Sequence, residues 1–389
     1  MTAPYRLRSV TLERFKAAFK PEPVILQPFN VLIGRNGSGK STLLEALQWI
    51  DTTIRLDARD ACNRYNGVSD VINLRGDAHY FRIRLGFTPD EGPEETSTVA
   101  QYEVKVSGDK DGVAYIAEER LWLGPHTAKD FYIKFSRGKR ILCAPGLPEI
   151  PFEEPERLAL GRGTAPLEVS LRSFFRDAVF LRLSPSRLAK GSPSKRKSFE
   201  PLLDEEGQNL PALLYELTAD QRQDLVDRVQ RAIPGMRGVQ IDAPPQGRDT
   251  VANYSLLERM PYKGRQGKHD LPIPSWMLSE GTRRITALFA LLVHDPPPSL
   301  LCVEEIENGL DPHTTLLVLS ELRSAADRGT QVLVTTHNPW LLDHVSLDDI
   351  IEARREDGNT VYSKFADRDA IQAFAANIPP GTRYVREDT

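Results

Sequence analysis

Residues Gly34 to Thr42 read Gly-Arg-Asn-Gly-Ser-Gly-Lys-Ser-Thr and follow directly on the apolar run Phe29-Asn30-Val31-Leu32-Ile33. Glycines at this spacing let consecutive backbone N–H groups turn inward on a phosphate with no Cβ in the way. A helix beginning near Lys40 would present its positive end to the same anion. Lys40 supplies a mobile cation for the β- and γ-phosphates of a nucleoside triphosphate, and the Ser41 hydroxyl is placed to hold Mg²⁺. Asn36, Gly37, Ser38, Gly39 and Thr42 complete the loop. Thr42-Leu43-Leu44-Glu45-Ala46-Leu47-Gln48-Trp49-Ile50 then has the apolar spacing of a helix. A glycine-rich turn that only happens to end in Gly-Lys-Ser would lack this strand-before, helix-after context.

A second group of reactive side chains lies far along the chain. Ser299-Leu300-Leu301-Cys302-Val303 is an apolar run ending in Glu304 and Glu305. Acids at the end of a buried parallel strand suit a metal (Glu304) and the water in line with a γ-phosphate (Glu305), although paired acids also occur in solvated turns. Asn308-Gly309-Leu310-Asp311-Pro312 makes a turn, a helix follows from His313 to Ala326, and Gln331 to Thr336 forms another buried strand ending at His337. Ligands collect at the carboxyl ends of such parallel strands. A lone histidine there is commonly structural; paired with Glu305 it is a candidate γ-phosphate sensor. Upstream, Trp276-Met277-Leu278-Ser279-Glu280-Gly281-Thr282 precedes a helix bearing Ile285, Leu288, Phe289 and Leu292 on one face. Ser279 and Gly281 stand at its N-terminus, where a helix offers either an anion site or an ordinary serine cap.

The rest of the chain has to position these groups. Residues 6–14 alternate as a strand, and Val24 to Gln27 forms a second. Asp51 to Arg75 reads as polar and irregular. Period-two runs follow at Tyr80 to Leu85, Ala100 to Val106, Val113 to Ile116 and Phe131 to Phe135, an antiparallel meander after a parallel nucleotide-binding unit. Residues 144–167, rich in Pro and Gly, read as a loop, Leu167 to Phe175 as a helix and Ala178 to Leu183 as a buried strand. Ser184 to Ser198 reads as a flexible basic loop carrying Arg187, Lys190, Lys195, Arg196 and Lys197, either a solvated linker or a nucleic-acid contact. Asn209 to Ile233 gives two short amphipathic helices, and a polar loop runs from Tyr262 to Asp270. A strand from Ile350 to Arg355, a turn at Asp357-Gly358-Asn359 and a return strand follow.

The expected fold class is α/β: a mixed or parallel nucleotide-binding sheet, an antiparallel β-subdomain and a small helical lobe. Its segments are 1–183, 184–277 and 278–389, forming one composite domain. The 389 residues have room for this, with 40% hydrophobic and 27% charged residues as in ordinary globular proteins. A net charge of −4 excludes a global basic signal, so nucleic acid could be met only by a local patch. Cys62, Cys143 and Cys302 have neither zinc nor disulfide spacing, which fits a reducing cytosol. The first residues lack the apolar core of a signal peptide, and the apolar stretch Ile285 to Val293 is far shorter than a membrane span. A cytoplasmic protein without a membrane partner is expected. No heptad array lies between 185 and 278, so no long coiled-coil arm is expected.

The order Gly34–Thr42, Leu278–Thr282, Leu301–Glu305, Asn308–Pro312, His337 resembles the Walker A, signature, Walker B, D-loop and switch-histidine order of ABC-type ATPases. It is most similar to the RecF/SMC-like branch and its short bacterial ATPases without coiled-coil arm or nuclease domain. Leu12-Glu13-Arg14-Phe15-Lys16, Leu278-Ser279-Glu280-Gly281-Thr282, Glu304-Glu305 followed by Glu307-Asn308-Gly309-Leu310, and Thr335-Thr336-His337 carry that resemblance. Ile306 and Asp311 stand where short members commonly have Pro and His. Phe180–Arg187, where a Q-loop glutamine belongs, contains none. The resemblance implies an ABC-type P-loop ATPase head that hydrolyses ATP with Mg²⁺. Lys40, Glu305 and His337 would be catalytic, and Ser41 and Glu304 would hold the metal. It further implies a homodimer sandwiching two ATP molecules, with Ser279 and Gly281 completing the partner's site and Asp311 in a D-loop contact across the dimer. An ATPase acting on DNA or on a separately encoded effector, in genome maintenance or anti-phage defence, is the favoured expectation. A transporter's nucleotide-binding module and a non-hydrolysing ATP-gated scaffold are the alternatives. With about fifty residues after His337, no nuclease domain is expected in this chain.

Overall fold

The computed structural model describes residues 5–75, 77–89, 99–124, 131–136, 138–193, 195–197, 199–242, 251–259, 270–372 and 378–387. Two compact units emerge, one of Met1–Ala178 with Val345–Thr389 and one of Val179–His344. The polar loop expected from Tyr262 falls, up to residue 269, outside the described residues.

The first unit begins with β1 (Tyr5–Glu13), antiparallel to β2 (Glu22–Ile25), then β3 (Phe29–Ile33). Every residue of β3 is buried, which is why its sequence shows no alternation. Helix α1 (Lys40–Arg55) continues well past Ile50. Its last turn is held by Asp51 and Arg55, an ion pair of 2.8 Å one turn apart. Arg55 also donates to the backbone oxygens of Phe175 (3.3 Å) and Arg176 (2.6 Å). Burial pushes the Asp51 carboxyl up to about 7 in spite of Arg55 and Arg64 beside it. The segment expected to be irregular contains α2 (Ala58–Asn63) and α3 (Val68–Val71). Small apolar residues, Ala58, Ala61, Cys62, Val68 and Val71, are its buried positions, and the surrounding polar side chains hide that pattern in the sequence.

The expected meander is β4 (Tyr80–Pro89), β5 (Ala100–Gly108), β6 (Ala114–Leu123), β7 (Phe131–Ser136), β8 (Lys139–Leu142) and β9 (Ile150–Phe152). Among the described residues these join β1 and β2 in one sheet of order β2-β1-β4-β5-β6-β7-β8-β9. Its inner face carries Phe81, Ile83, Leu85, Phe87, Tyr102, Val104 and Val106. The proline- and glycine-rich stretch after β8 is tied down by Glu119 of β6. That fully buried carboxylate accepts from the backbone N–H groups of Ala159 (2.7 Å) and Leu160 (2.9 Å), from the Tyr102 hydroxyl (3.1 Å) and from Arg140 (3.2 Å). Helix α4 (Pro166–Arg176) then packs Phe174 and Phe175 edge-on against Phe87.

The second unit starts at β10 (Val179–Leu181), followed by α5 (Pro185–Leu188) and β11 (Ser192–Pro193), so part of the expected basic loop is ordered into short elements. Next come α6 (Leu210–Glu216), α7 (Ala219–Ala232), β12 (Met236–Asp242), β13 (Val251–Arg259), β14 (Asp270–Pro274), α8 (Glu280–Leu292), β15 (Leu300–Val303), α9 (Pro312–Asp327), β16 (Gln331–Thr335) and α10 (Pro339–Leu342). Strands β10, β15 and β16 are parallel and in register through Phe180, Cys302 and Leu333. β13 is the centre of a small antiparallel sheet with β11, β12 and β14. The chain returns to the first unit as β17 (Ile350–Glu356) and β18 (Asn359–Lys364), then α11 (Asp369–Gln372) and α12 (Pro380–Glu387). β17 runs parallel to β3, with Ile351 opposite Leu32, and antiparallel to β18. The hairpin therefore packs in the unit that holds Gly34–Thr42, although in sequence it follows the signature, Walker B and histidine segments. Among the described residues no helix is long and apolar enough to cross a membrane.

Removing one partner of a buried ion pair strands the other charge. Arg55→Met should therefore destabilise the protein by about 3–5 kcal/mol in urea unfolding. Adding Asp51→Leu should recover part of that loss. No loss in the single variant would show that the pair does not brace α1.

Candidate active site

The loop between β3 and α1 is built by backbone geometry that side chains resist. Gly34, Gly37 and Gly39 have φ of 144°, 74° and 103°. A Cβ on Gly34 would stand 2.2 Å from the Ala353 carbonyl oxygen, and one on Gly39 would stand 2.5 Å from Thr360 Oγ1. At Gly37 a Cβ would meet nothing within 4 Å, so that part of the loop has open space beside it. Lys40, the first residue of α1, is nearly buried, and its ammonium donates to Gly34 O (2.7 Å) and Arg35 O (3.2 Å) across the loop. Ser38 Oγ is buried with no hydrogen-bond partner among the described residues. A glycine cradle, a helix N-terminus, a lysine in its mouth and an orphaned hydroxyl fit a polyphosphate. Ser41 and Thr42 follow in the first turn of α1.

The loop is held from below by residues that sequence reasoning missed. Thr360 Oγ1 donates to Ser38 O (2.9 Å) and the Tyr362 hydroxyl donates to Gly39 O (2.7 Å), both from β18. Burial raises the Tyr362 hydroxyl's pKa, with the charge of Glu45 adding to that shift, so it stays a donor. Hydroxyls on a distant hairpin carry no local sequence signal.

In the second unit, β15 delivers Glu304 and Glu305 at its carboxyl end, and Glu304 N donates to Leu181 O (2.8 Å). Glu305 adopts the left-handed region, φ 50°, where a non-glycine residue is held at a cost. The end of β16 enforces it: Glu305 N donates to Thr335 Oγ1 (2.9 Å) and Ile306 N to Thr335 O (3.2 Å). The Asn308 amide donates to the Glu305 carboxylate, and His337 Nε2 stands 3.8 Å from its other oxygen. His337 N in turn donates to Glu307 Oε1 (2.8 Å), while Glu307 Oε2 is buried without a partner among the described residues. Glu305 and His337, paired from sequence, thus share one constellation.

Ser279 caps α8, accepting from Thr282 N (3.1 Å), with its hydroxyl 2.8 Å from that of Thr282. Gly281 faces the turn after β15 so closely that a Cβ would come within 2.6 Å of Gly309 O. Asp311 caps α9 through Thr314, whose hydroxyl and N–H hold its carboxyl below the usual range. Of the basic segment, Arg187 pairs with Glu206 at 3.1 Å and Arg196 with Glu216 at 2.6 Å, while Lys197 lies over the Phe199 ring. Lys190 and Lys195 lie in the same segment, apart from the carboxylate turn in sequence. Cys62, Cys143 and Cys302 are free thiols.

A glycine loop with a lysine, strand-end acids, a capped helix start and a histidine are groups of the kind a P-loop ATPase requires, and the fold is the mixed α/β one of such enzymes. More particularly, the chain belongs to the family described as "AAA domain, putative AbiEii toxin, Type IV TA system", whose model matches residues 29–343. As a member of this AAA-type family it is an ATP hydrolase. Among solved structures, its fold is similar to a Smc head bound to the C-terminal winged-helix domain of ScpA, at 16% identity and TM-score 0.56. That match covers 92% of this chain and 98% of the other. A Smc head with an extended coiled coil, bound to the C-terminal domain of ScpA and derived from Pyrococcus furiosus, matches at 14% identity and TM-score 0.54, over 92% and 96%. No curated protein matches.

Because a hydrogen bond of this kind contributes about 0.5–1.5 kcal/mol, Tyr362→Phe should weaken ATP binding about 2- to 12-fold without unfolding the chain. Isothermal titration with ATP measures this. Wild-type affinity would mean that the hairpin supports the loop by shape alone.

Proposed function

We propose that this ATPase acts as an ATP-gated dimer in the cytoplasm, switching a separately encoded effector. The observation that carries the reading is the strained Glu305, strapped to Thr335 and faced by Asn308 and His337. A carboxylate held this way is preorganised to take the proton of an attacking water. Lys40 meets the β- and γ-phosphates, within the cradle of Asn36, Gly37, Ser38, Gly39, Ser41 and Thr42. His337 answers to the γ-phosphate beside Glu305. Ser41 and Glu304 would hold Mg²⁺, which would neutralise charge on the phosphate oxygens.

Ser279 and Gly281 act on the nucleotide of the partner chain, with Asp311 at the same interface. A γ-phosphate touched by two chains gives the closed dimer a differential affinity that ADP lacks, which is what a switch needs. The family's description names a toxin of a toxin–antitoxin system, which supports an effector in defence. Pairing of Arg187 and Arg196 with acids of their own chain favours an effector over DNA, since counterion release requires cations free to meet phosphates.

Glu305→Gln should bind ATP, lose about 10²–10⁴-fold in turnover, and accumulate as an ATP-held dimer in size-exclusion chromatography. A wild-type rate would move the base to another residue.

Ser279→Arg should keep ATP binding by each chain yet lose hydrolysis and ATP-dependent dimerisation. Mixed with Lys40→Ala, it should regain partial activity, because one composite site then pairs an intact loop with an intact signature. Full activity of Ser279→Arg alone would end the dimer reading.

A further inference from the structure

Arg284 lies one helical turn beyond Gly281 on α8 and takes no part in the roles above. Its Nε is buried with no hydrogen-bond partner among the described residues, a costly state for a cation that calls for an explanation. Burial lowers its pKa, against the pull of two carboxylates: Glu280 on its own helix and Glu305 on the turn after β15. The Arg284 stem lies along that same turn, since a Cβ on Gly309 would stand 3.5 Å from Arg284 Nε and 3.6 Å from its Cδ. Backbone meets backbone beside it, where Gly281 approaches Gly309 O too closely for any side chain. Within one compact unit the signature turn and the turn presenting Glu305 are therefore packed against each other, and Arg284 lies against the second with Glu280 beside it.

We propose that Arg284 is a positioning residue for Glu305, carrying the placement of the signature turn to the turn that presents the carboxylate. This rests on the reading of Glu305 as the base. The signature turn answers to the partner's nucleotide, and Glu305 to that of its own chain. A link between them makes hydrolysis in one site depend on engagement at the other. Close packing transmits such displacements, because Gly281 stands against Gly309 O too closely for one turn to shift alone.

The test is a double-mutant cycle on the full chain. Single-turnover ATP hydrolysis gives the rate, and titration with a fluorescent ATP analogue gives the affinity. Arg284→Ala should slow hydrolysis about 3- to 100-fold, the range that coupling between contacting residues spans. Affinity should change by less than about 3-fold, as for an interaction made only in the transition state. Arg284→Lys should restore part of the rate. In a Glu305→Gln background, Arg284→Ala should cost less than about 2-fold more, because its effect passes through the carboxylate already removed. Should the alanine variant not fold, Arg284→Met keeps the apolar stem and carries the same comparison. An equal loss in both backgrounds overturns the inference, as does a wild-type rate for Arg284→Ala while Glu305→Gln is slow; both leave Glu305 as the base. A wild-type rate for Glu305→Gln defeats the base assignment, and the inference with it.

Discussion

Thr335 is the residue on which the catalytic half of the second unit depends. Through its hydroxyl and its carbonyl it takes the two successive amides of Glu305 and Ile306. Each N–H would otherwise be an unpaired donor next to a buried strand end, so the turn has little freedom to relax. That constraint forces Glu305 to positive φ, which turns its carboxylate away from the direction the strand would give it. The turn then closes on itself through Asn308 N to Glu305 O (3.0 Å) and Leu310 N to Glu307 O (3.1 Å). Asp311 caps the next helix directly afterwards. Strand β16 thus does two things: it pairs with β15 to bury the apolar run, and its last residues fix the geometry of the acids that β15 delivers.

How much of this was legible in the sequence depends on whether the cause is local. The Gly34–Thr42 loop, β15, β16 and the helices between them follow from contiguous patterns, because a buried parallel strand and a helix each write their own periodicity. The Ser279 cap was equally readable, since a cap acts within one turn. Other features have causes far away in the chain. The part of Asp51–Arg75 that forms α2 and α3 looks irregular because the residues those helices bury are alanine, cysteine and valine at short helical spacing, among polar neighbours. In β12, Met236-Arg237-Gly238-Val239-Gln240-Ile241-Asp242 is only weakly alternating, and its register slips between Met236 and Gly238, so its pairing with β13 does not stand out. Residues 144–167 are ordered in part by Glu119, an acid on a strand whose neighbours give no hint that it is buried, and in part by Arg140 and Arg172, which donate to the segment's carbonyls. The contact of Gly281 with Gly309 supplies a reason for Gly281 that a motif cannot, for it is a steric requirement of the same chain's turn.

The N-terminal Leu12-to-Lys16 motif also gains a physical account. Arg14 and Lys16 have φ of 56° and 47°, and Asp357 has 46°, so both of these segments of the first unit hold strained backbone. They are tied together. Arg14 donates to Arg75 O, and Arg75 reaches Asp357 O beneath Gly358, where a side chain would collide with the guanidinium. Asn73 donates to Lys16 O, and Asn359 accepts from the amides of Phe19 (2.7 Å) and Lys20 (3.2 Å). Thr360 N donates to Ala17 O. The residue that receives this bracing is the same Thr360 whose hydroxyl holds Ser38 O. Three segments that are distant in sequence, at 14–20, 73–75 and 357–360, thereby act as one support under the glycine loop. Glycines alone cannot provide it, because their conformational freedom permits the phosphate-binding shape without selecting it. Selection comes from outside the loop, through hydroxyls and carbonyls anchored on rigid strands, and the strain at Arg14, Lys16 and Asp357 is tolerated because those anchors over-determine their backbone.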